Sequence, residues 1–345
     1  MIDYLIIGSG LAGIAFAETA LQNNKSIVVI DSGVISSSKV AAGLYNPVIL
    51  KRFTPVWNAK QQLEELDLFY DHIEYKLNHK FNFEVPILRK FFSIEEQNNW
   101  FVASDKKELN PFLSTNLITS KYSGIDSPFD YGQVNRTGYV DVALLLEKFQ
   151  EYLFLNQMFL KEAFDYSLLK INNGIQYKDI KAKHIIFAEG FGMLSNPFFN
   201  DLPPDGAKGE LLIIKAPNLS LDVIINTSVF ILPLGNEMFK IGATYNWTDK
   251  TDLPTEEGKN ELIDRIKEII TCDFEIISHY AGVRPTVKDR KPLVGTHPIH
   301  SELHILNGLG TRGVMLAPSL AKSLFNKIEN GTPFEKEINC NRFYK

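Results

Sequence analysis

The stretch LIIGSGLAG, residues 5–13, decides the fold. A short apolar run ends at Gly8, and a segment with helical character follows from Leu11 to Asn23. A second apolar run then extends from Ile27 to Asp31. This order of strand, turn, helix and strand predicts a βαβ unit with parallel strands, because the C-terminal ends of such strands meet at one edge where a ligand can bind.

The glycine spacing in that turn predicts that the ligand is a dinucleotide. Gly8 permits the tight turn, Gly10 lets a pyrophosphate approach the backbone, and Gly13 lets the helix pack closely against the strand. Asp31 closes the second strand eighteen residues after Gly13. A carboxylate there can hold ribose hydroxyls and would repel a 2′-phosphate, so the pattern favours NAD or FAD over NADP.

A second glycine-rich turn near the C-terminus favours FAD. A predicted strand ends at Asn307 and leads into Gly308, Gly310 and Gly313. Backbone N–H groups and a helix N-terminus at this point could contact the flavin ring, whose reduced form carries negative charge. Spacing alone also allows the simpler interpretation that these glycines only turn a strand into the last helix.

Length and composition narrow the class of protein. The chain has 345 residues, a net charge of -5 and 45% hydrophobic residues, so it is predicted to be globular, with two domains or one large insertion. The acidic balance gives no reason to expect a nucleic-acid partner. Cys272 and Cys340 lack the spacing of a zinc site or a disulfide framework. No leader or membrane span is recognised, so a cytoplasmic location is expected.

The remaining segments predict a return to the first sheet and a second sheet. Strands are predicted at His184–Gly190 and Leu303–Asn307, with helices after Asp141 and from Val314 to Lys327. Residues 54–131 have the character of an insertion. From Leu211 to Val283 strand-like runs predict an antiparallel sheet, interrupted by a helix near residues 257–270 that Thr255 could cap.

A series of short motifs, found in a fixed order along nearly the whole chain, carries a resemblance to a known family. They are GSGLAG with Asp31, SKVAAG from Ser38, GYVDVALLL from Gly138, IIFAEG at the third strand, KGELL from Lys208, FKIGAT from Phe239, AGVRPTVKDRKPLVG from Ala281 and LNGLGTRGVMLAP from Leu306. In these segments the chain resembles the FAD-dependent amine oxidases of the D-amino-acid oxidase, glycine oxidase and sarcosine oxidase superfamily.

The resemblance implies an α/β fold in which a Rossmann-like FAD-binding domain carries an inserted α+β substrate domain built on an antiparallel sheet. The FAD-binding domain is predicted at 1–54, 135–205 and 284–345, and the substrate domain at 55–134 and 206–283. FAD is expected to be bound non-covalently, because neither cysteine lies at a matching position. The predicted cofactor contacts are Gly8, Gly10, Leu11, Ala12, Gly13, Asp31, Ser32, Ala41, Ala42, Gly43, Gly190, Gly308, Gly310, Thr311, Gly313, Val314 and Met315.

The resemblance also implies substrate contacts. Arg284 and Arg312 match the arginines that hold a substrate carboxylate, although a salt bridge for Arg284 and a surface position for Arg312 stay open. Lys240 matches a lysine that favours oxygen reduction, or it is merely solvated. Phe230 stands where relatives place a tyrosine; Tyr245 could replace that hydroxyl or serve in packing.

The implied reaction is oxidation of the C–N bond of a small amino acid or N-substituted glycine by hydride transfer to flavin N5, with oxygen or a quinone as acceptor. Two alternatives stay open: an oxidase acting on a carboxymethylaminomethyl-modified tRNA base, and a flavin-binding redox sensor without turnover. The sequence does not predict the oligomeric state.

Other residues give weaker signals. His297, His300 and His304 do not share a helix face, so no metal site is predicted. Lys51 and Arg52 could face an acidic substrate, but an exposed loop pair is the simpler interpretation. Glu189 stands where relatives have a small residue, and the sequence offers no reason for it.

Overall fold

The computed structural model describes residues 1–34, 36–172 and 174–344. In chain order the strands are β1 (Ile2–Ile7), β2 (Ile27–Asp31), β3 (Leu44–Tyr45), β4 (Val48–Ile49), β5 (Thr54–Pro55), β6 (Asn82–Glu84), β7 (Ile87–Lys90), β8 (Leu113–Ile118), β9 (Tyr131–Val134), β10 (Gly138–Val140), β11 (Phe159–Lys161), β12 (Leu169–Ile171), β13 (Ile175–Tyr177), β14 (Ile180–Phe187), β15 (Pro204–Lys215), β16 (Ile224–Asn226), β17 (Phe230–Gly235), β18 (Met238–Gly242), β19 (Glu275–Val287), β20 (Leu293–Thr296) and β21 (Leu303–Asn307). The α-helices are α1 (Leu11–Gln22), α2 (Ser37–Val40), α3 (Ala59–Leu77), α4 (Ile94–Ser104), α5 (Val142–Leu155), α6 (Glu256–Lys267) and α7 (Gly313–Asn330).

The first large sheet contains the predicted βαβ unit. Its central strands are parallel and run in the order β11, β2, β1, β14 and β21, while β12, β13 and β20 are attached by antiparallel pairing. The predicted strands at the N-terminus, before Gly190 and before Gly308 are all present in this sheet. Because β1, β14 and β21 are parallel, the residues that follow them meet at one edge.

Helices α1 and α7 cover one face of this sheet. Both helices contribute to the largest core cluster, which includes Phe16 on α1, Leu320 and Leu324 on α7, and Tyr4 and Ile6 on β1. The two helices are therefore held against the strand that precedes the glycine turn, so the turn has a fixed position relative to the last helix.

The second large sheet has the strand order β19, β15, β18, β17, β16, β7, β9 and β8. The prediction of an antiparallel sheet is correct for all neighbouring pairs but one, since β16 and β7 are parallel. This exception arises where strands from residues 87–134 meet strands from residues 204–287. Strand β19 continues to Val287, beyond the limit at 283 predicted for the substrate domain, and the predicted domain limits stay a prediction.

The predicted helix caps are present. Asp141 Oδ1 accepts a hydrogen bond from the Leu144 backbone N–H at the start of α5, and Thr255 Oγ1 accepts one from the Gly258 N–H at the start of α6. Each bond satisfies a backbone donor that the helix itself leaves free. Within the described residues, no helix has the length and apolar character needed to cross a bilayer.

Two histidines, the half-buried His184 on β14 and the buried His304 on β21, lie side by side. His304 Nε2 is 3.1 Å from His184 Nδ1, and His304 Nδ1 is 2.9 Å from the Thr296 hydroxyl. Burial lowers the pKa of both imidazoles below the ordinary value of 6.5, and the His184 ring further disfavours protonation of His304. Both rings are therefore neutral at pH 7.

We expect acid to destabilise the fold through this pair. Because the pKa values of the two imidazoles are lowered in the folded state, the unfolded chain binds more protons than the folded protein once the pH falls below about 6.5. The free energy of unfolding therefore decreases as the pH falls further. Replacing His304 with glutamine should reduce the difference in unfolding free energy between pH 7.5 and pH 5.5 by about 1 kcal/mol. Urea unfolding of the wild type and the variant at the two pH values measures this difference. An unchanged pH dependence in the variant would contradict the prediction.

Candidate active site

The first glycine turn forms as the sequence predicts. Gly8 has φ of +98°, a conformation that a residue with a side chain rarely adopts. A Cβ at Gly13 would overlap the Gly8 carbonyl oxygen. Helix α1 can therefore begin directly behind β1 only because position 13 has no side chain, and its N-terminal N–H groups face the edge of the sheet.

Replacing Gly13 with alanine is expected to lower FAD affinity and to destabilise the protein by about 1–3 kcal/mol, because the added methyl forces α1 away from β1. The flavin content of the purified protein and its urea unfolding curve measure the two effects. Alanine in place of Gly331, whose Cβ would meet no atom within 4 Å, is a glycine control, although its φ of +69° adds local strain. Full flavin content in the Gly13 variant would contradict the prediction.

Asp31 lies beside the turn, at the end of β2. Its Oδ2 accepts a hydrogen bond of 2.7 Å from the Ser9 N–H, and its Oδ1 accepts one of 2.7 Å from the Gly33 N–H. These bonds orient the carboxylate, and each oxygen keeps a lone pair for a hydroxyl donor. The position suits the ribose contact predicted from the sequence.

Ser38 is a contact that the sequence analysis did not identify. Its hydroxyl accepts a hydrogen bond of 3.3 Å from the Leu11 N–H, the first backbone donor of α1. This hydroxyl stands beside Gly10. The signal available in the sequence was the run of three serines, Ser36 to Ser38, which supplies small hydroxyl side chains just before Ala41, Ala42 and Gly43.

The second glycine turn lies at the same edge of the sheet. Gly308 and Gly310 have φ of +72° and +57° and lead through a short 3₁₀ turn into α7. Asn307 Nδ2 donates a hydrogen bond of 2.8 Å to the Gly190 carbonyl, which fastens the end of β21 to the segment after β14. The two glycine turns therefore belong to one site.

A cavity of about 1830 Å³ connects the two turns with the second sheet. Most of the predicted site residues line it: Gly8, Gly10, Leu11, Ala12, Asp31, Ser32, Ala41, Ala42, Gly43, Gly190, Tyr245, Arg284, Gly310, Thr311, Arg312, Gly313 and Val314. Gly13, Lys240, Gly308 and Met315 are not among its lining residues. Gly13 packs against Gly8, and Met315 is buried in the core. Lys51 lines the cavity and Arg52 does not.

Two arginines meet in this cavity. Arg284 lies on β19, and Arg312 lies just before α7. Burial lowers the pKa of both guanidinium groups, and in the described part of the chain neither group has a carboxylate within 4.0 Å. Burying a cation without an anion is unfavourable, so this region of the cavity favours an anionic ligand.

The surroundings of Arg284 fix its direction. Its Nη1 donates to the Thr244 carbonyl at 3.3 Å, and its guanidinium carbon lies 4.6 Å from the centre of the Tyr245 ring. A Cβ at Gly209 would overlap the guanidinium, so the side chain passes over this residue only because it is glycine. Phe230 also lines the cavity, where it offers no hydroxyl.

Lys240 lies on β18 and is half-buried. Among the described residues its ammonium has no hydrogen-bond or ion-pair partner, and burial lowers its pKa while Asp141 acts in the opposite direction. Its role in the site stays a prediction.

In the structure, the carboxyl group of Glu189 has two hydrogen-bond partners. Its carboxyl group accepts hydrogen bonds from the Tyr166 hydroxyl and from Asn196 Nδ2, the latter at 2.7 Å. Burial raises its pKa despite these two bonds. Glu189 therefore ties the segment after β14 to Tyr166 and Asn196, contacts that the sequence could not reveal.

The fold and the two glycine turns define a dinucleotide-binding α/β protein. Residues 3–326 match the family described as FAD dependent oxidoreductase, and the chain belongs to this family. Its cofactor is FAD, and the protein is an FAD-dependent oxidoreductase. The residues of the cradle fit this cofactor, since a pyrophosphate needs the open backbone at Gly8 and Gly10, and a Cβ there would face Ala188 or Ser38.

Individual relatives extend the comparison. The chain is 23% identical to glycine oxidase of Bacillus subtilis (strain 168) over 98% of its length and 94% of the relative. It is 21% identical to the "tRNA 5-methylaminomethyl-2-thiouridine biosynthesis bifunctional protein MnmC" of Marinobacter nauticus, over 94% of this chain and 55% of that protein. Iminodiacetate oxidase from Chelativorans sp. BNC1 shares the fold, with a TM-score of 0.79, 17% identity and coverage of 97% and 98% of the two chains.

Proposed function

We propose that this protein oxidises the C–N bond of a small amino acid or N-substituted glycine, with the substrate carboxylate held by Arg284 and Arg312. The observation that carries this proposal is the pair of buried guanidinium groups that lack a carboxylate partner among the described residues and lie in the cavity of the FAD cradle. Glycine oxidase and iminodiacetate oxidase, to which the chain is similar, are named for substrates of this kind.

The arginines bind and orient the substrate. A guanidinium can donate two parallel hydrogen bonds to a carboxylate, which fixes the direction of the ligand as well as its affinity. With Arg284 held by Thr244 and Tyr245, the carboxylate position is set before the substrate enters. The C–H bond beside the amine is then presented in one orientation, which is the main requirement of this reaction.

The cofactor residues divide between the two turns. Gly8 to Gly13, the N-terminus of α1 and Asp31 would hold the adenylate half, whereas Ala41 to Gly43 and Gly310 to Val314 would hold the flavin half. The chemistry that a bound FAD would supply is a hydride acceptor for the carbon beside the substrate amine, and water would hydrolyse the resulting imine. The N-terminus of α7 favours negative charge at its end of the cavity. Neither Cys272 nor Cys340 lines this cavity, which supports non-covalent binding.

Anaerobic addition of candidate substrates tests the proposal. Glycine, sarcosine, proline and D-amino acids are added in turn to the yellow protein, and the flavin absorbance near 450 nm is followed. Bleaching by one of them identifies an amino acid substrate. The proposal fails if the protein holds FAD, is bleached by dithionite and is bleached neither by these compounds nor by a longer N-substituted glycine.

A second candidate substrate is a carboxymethylaminomethyl-modified tRNA base, whose modifying group is also an N-substituted glycine. The similarity to the bifunctional tRNA protein supports it. Anaerobic addition of tRNA that carries this modification tests it, with unmodified tRNA as the control. The third alternative, a sensor without turnover, has less support because the chain belongs to an oxidoreductase family.

We also propose that Lys240 speeds reoxidation when oxygen is the acceptor. Replacing it with methionine should slow reoxidation of the reduced protein by at least about tenfold, because a buried cation stabilises the negative charge that oxygen acquires. Stopped-flow mixing of the reduced protein with oxygen measures the rate, and the anaerobic reduction by substrate is the control. Equal reoxidation rates would show that Lys240 has no such role.

The electron acceptor and the cellular compartment also belong to the proposal. Oxygen or a quinone would take the electrons. The free thiols of Cys272 and Cys340 support a reducing compartment such as the cytoplasm.

A further inference from the structure

The cavity extends well beyond the two arginines, along the face of the second sheet. Leu211, Gly242, Phe230, Asn226 and Arg89 are successive cross-strand partners on β15, β18, β17, β16 and β7. All five line the cavity. Directly opposed residues point to the same face of a sheet, so these residues form one row across the cavity floor.

The row leads from an apolar centre to a polar end. Phe230 lies in the part of the floor where relatives place a tyrosine, and Arg89 is two strands further on. Two strand spacings amount to about 10 Å. A small amino acid bound at Arg284 and Arg312 would therefore leave the Asn226 and Arg89 end of the floor uncovered.

The polar end is built from two elements. Arg89 Nη2 lies 3.4 Å from Glu96 Oε1 on α4, and the other oxygen of Glu96 accepts a hydrogen bond of 2.9 Å from the Phe92 N–H. Asn99, one helical turn after Glu96, also lines the cavity. Within the described residues, the side-chain amides of the half-buried Asn226 and the exposed Asn99 have no hydrogen-bond partner, and the half-buried Arg89 has only the long contact to Glu96.

This polar end offers donors and acceptors together. Each asparagine amide carries a carbonyl oxygen and an NH₂ group, and the guanidinium of Arg89 adds further donors. The ligand group that matches them has a carbonyl next to an N–H, as in a primary amide or a pyrimidine ring. A lone carboxylate would match less well, because Glu96 already stands beside Arg89.

We propose that Asn226, Arg89 and Asn99 form a second subsite that binds the far end of the amine substituent. The substrate is then a glycine whose nitrogen carries a chain that extends past Phe230 and ends in an amide-type group. This inference rests on the proposed function, because it takes the carboxylate at the two arginines as the other end of the same substrate. Phe230 lies between the two ends and suits a methylene or aromatic spacer.

Three N-substituted glycines test the subsite: sarcosine, N-hexylglycine and N-(5-carbamoylpentyl)glycine. We expect kcat/KM for the carbamoyl compound to exceed that for N-hexylglycine by about tenfold or more, because only the former can pair with the polar end.

Variants locate the effect. Asn226→Leu and Arg89→Ala should each lower kcat/KM for the carbamoyl compound by about tenfold, mainly through KM, and leave sarcosine oxidation unchanged. Lys170→Ala, an exposed position on β12, is the matched control. Flavin content and thermal unfolding check that each variant is folded. If Arg89→Ala loses FAD, Asn226→Leu alone decides.

The outcomes separate the two proposals. Oxidation of sarcosine with no preference for the carbamoyl compound, or a preference that both variants retain, overturns the subsite and leaves the proposed function intact. If neither an amino acid nor an N-substituted glycine reduces the flavin of a protein that dithionite reduces, the proposed function and the subsite both fail. If amino acids alone reduce it, only the subsite fails.

Discussion

Replacing Arg284 with leucine is expected to weaken binding of a carboxylate ligand by about 3 kcal/mol, more than a hundredfold, while FAD stays bound. Leucine has similar bulk but no charge, so the carboxylate would lose a guanidinium in a cavity where burial makes charge pairing strong. The FAD cradle should be unaffected, because the side-chain hydrogen bonds of Arg284 go to Thr244 and Ala207. Titration of the oxidised protein with acetate, followed by the flavin spectrum, measures the affinity.

Two further variants show whether geometry or charge is responsible. Arg284→Lys keeps the charge but loses the two parallel donors, so its affinity should lie between wild type and leucine. Gly209→Ala keeps the arginine and displaces it, because the added methyl overlaps the guanidinium. A secondary amine without a carboxylate should bind all these proteins equally. An acetate affinity that does not change in Arg284→Leu would remove this residue from the site.

Replacing Lys76 with methionine is expected to destabilise the fold by about 3 kcal/mol. Glu18 lies on α1 with a fully buried side chain, and Lys76 on α3 approaches its two oxygens at 2.6 and 2.8 Å. Without the lysine, Gln22 at 3.1 Å and His72 at 3.2 Å are the side chains that remain beside the carboxylate among the described residues. An uncompensated buried charge is costly, so urea unfolding in saturating FAD should show a large loss.

The control for this prediction is an ion pair at the C-terminal end of the same helix, between Glu74 on α3 and the more exposed Lys80, which lies just after the helix. Lys80 pairs with Glu74 and is 60% exposed, so Lys80→Met should change stability by less than about 1 kcal/mol. The double variant Glu18→Leu with Lys76→Met should regain most of the loss, because no charge remains buried. Equal effects of Lys76→Met and Lys80→Met would contradict the argument.

The sequence predicts those parts of the molecule that depend on local patterns. The strand before Gly8, the helix after Gly10 and the carboxylate at Asp31 follow from spacing within 31 residues, and the structure contains them. Caps such as Thr255 are local as well. Arg284 and Arg312 were identified only through the resemblance, because their meeting depends on how distant strands assemble.

The parts that escaped prediction are contacts between distant segments. The parallel pairing of β7 with β16 joins residues more than a hundred positions apart, and hence the row from Phe230 to Arg89 has no signature in the sequence. The partner of Glu18 was invisible because no pattern links α1 to α3. The hydrogen bonds of Glu189 with Tyr166 and Asn196 likewise have no local sequence pattern that predicts them.

The hydrogen bond from Asn307 to Gly190 has a consequence for how the protein is made. In the proposed site, the two halves of FAD contact the first and the last strands of the first sheet, and closing such a long loop is entropically costly and slow. A nascent chain whose β21 and α7 have not yet left the ribosome therefore offers contacts to only one half of the cofactor. We expect yellow colour in the nascent polypeptide only after α7 has emerged and docked.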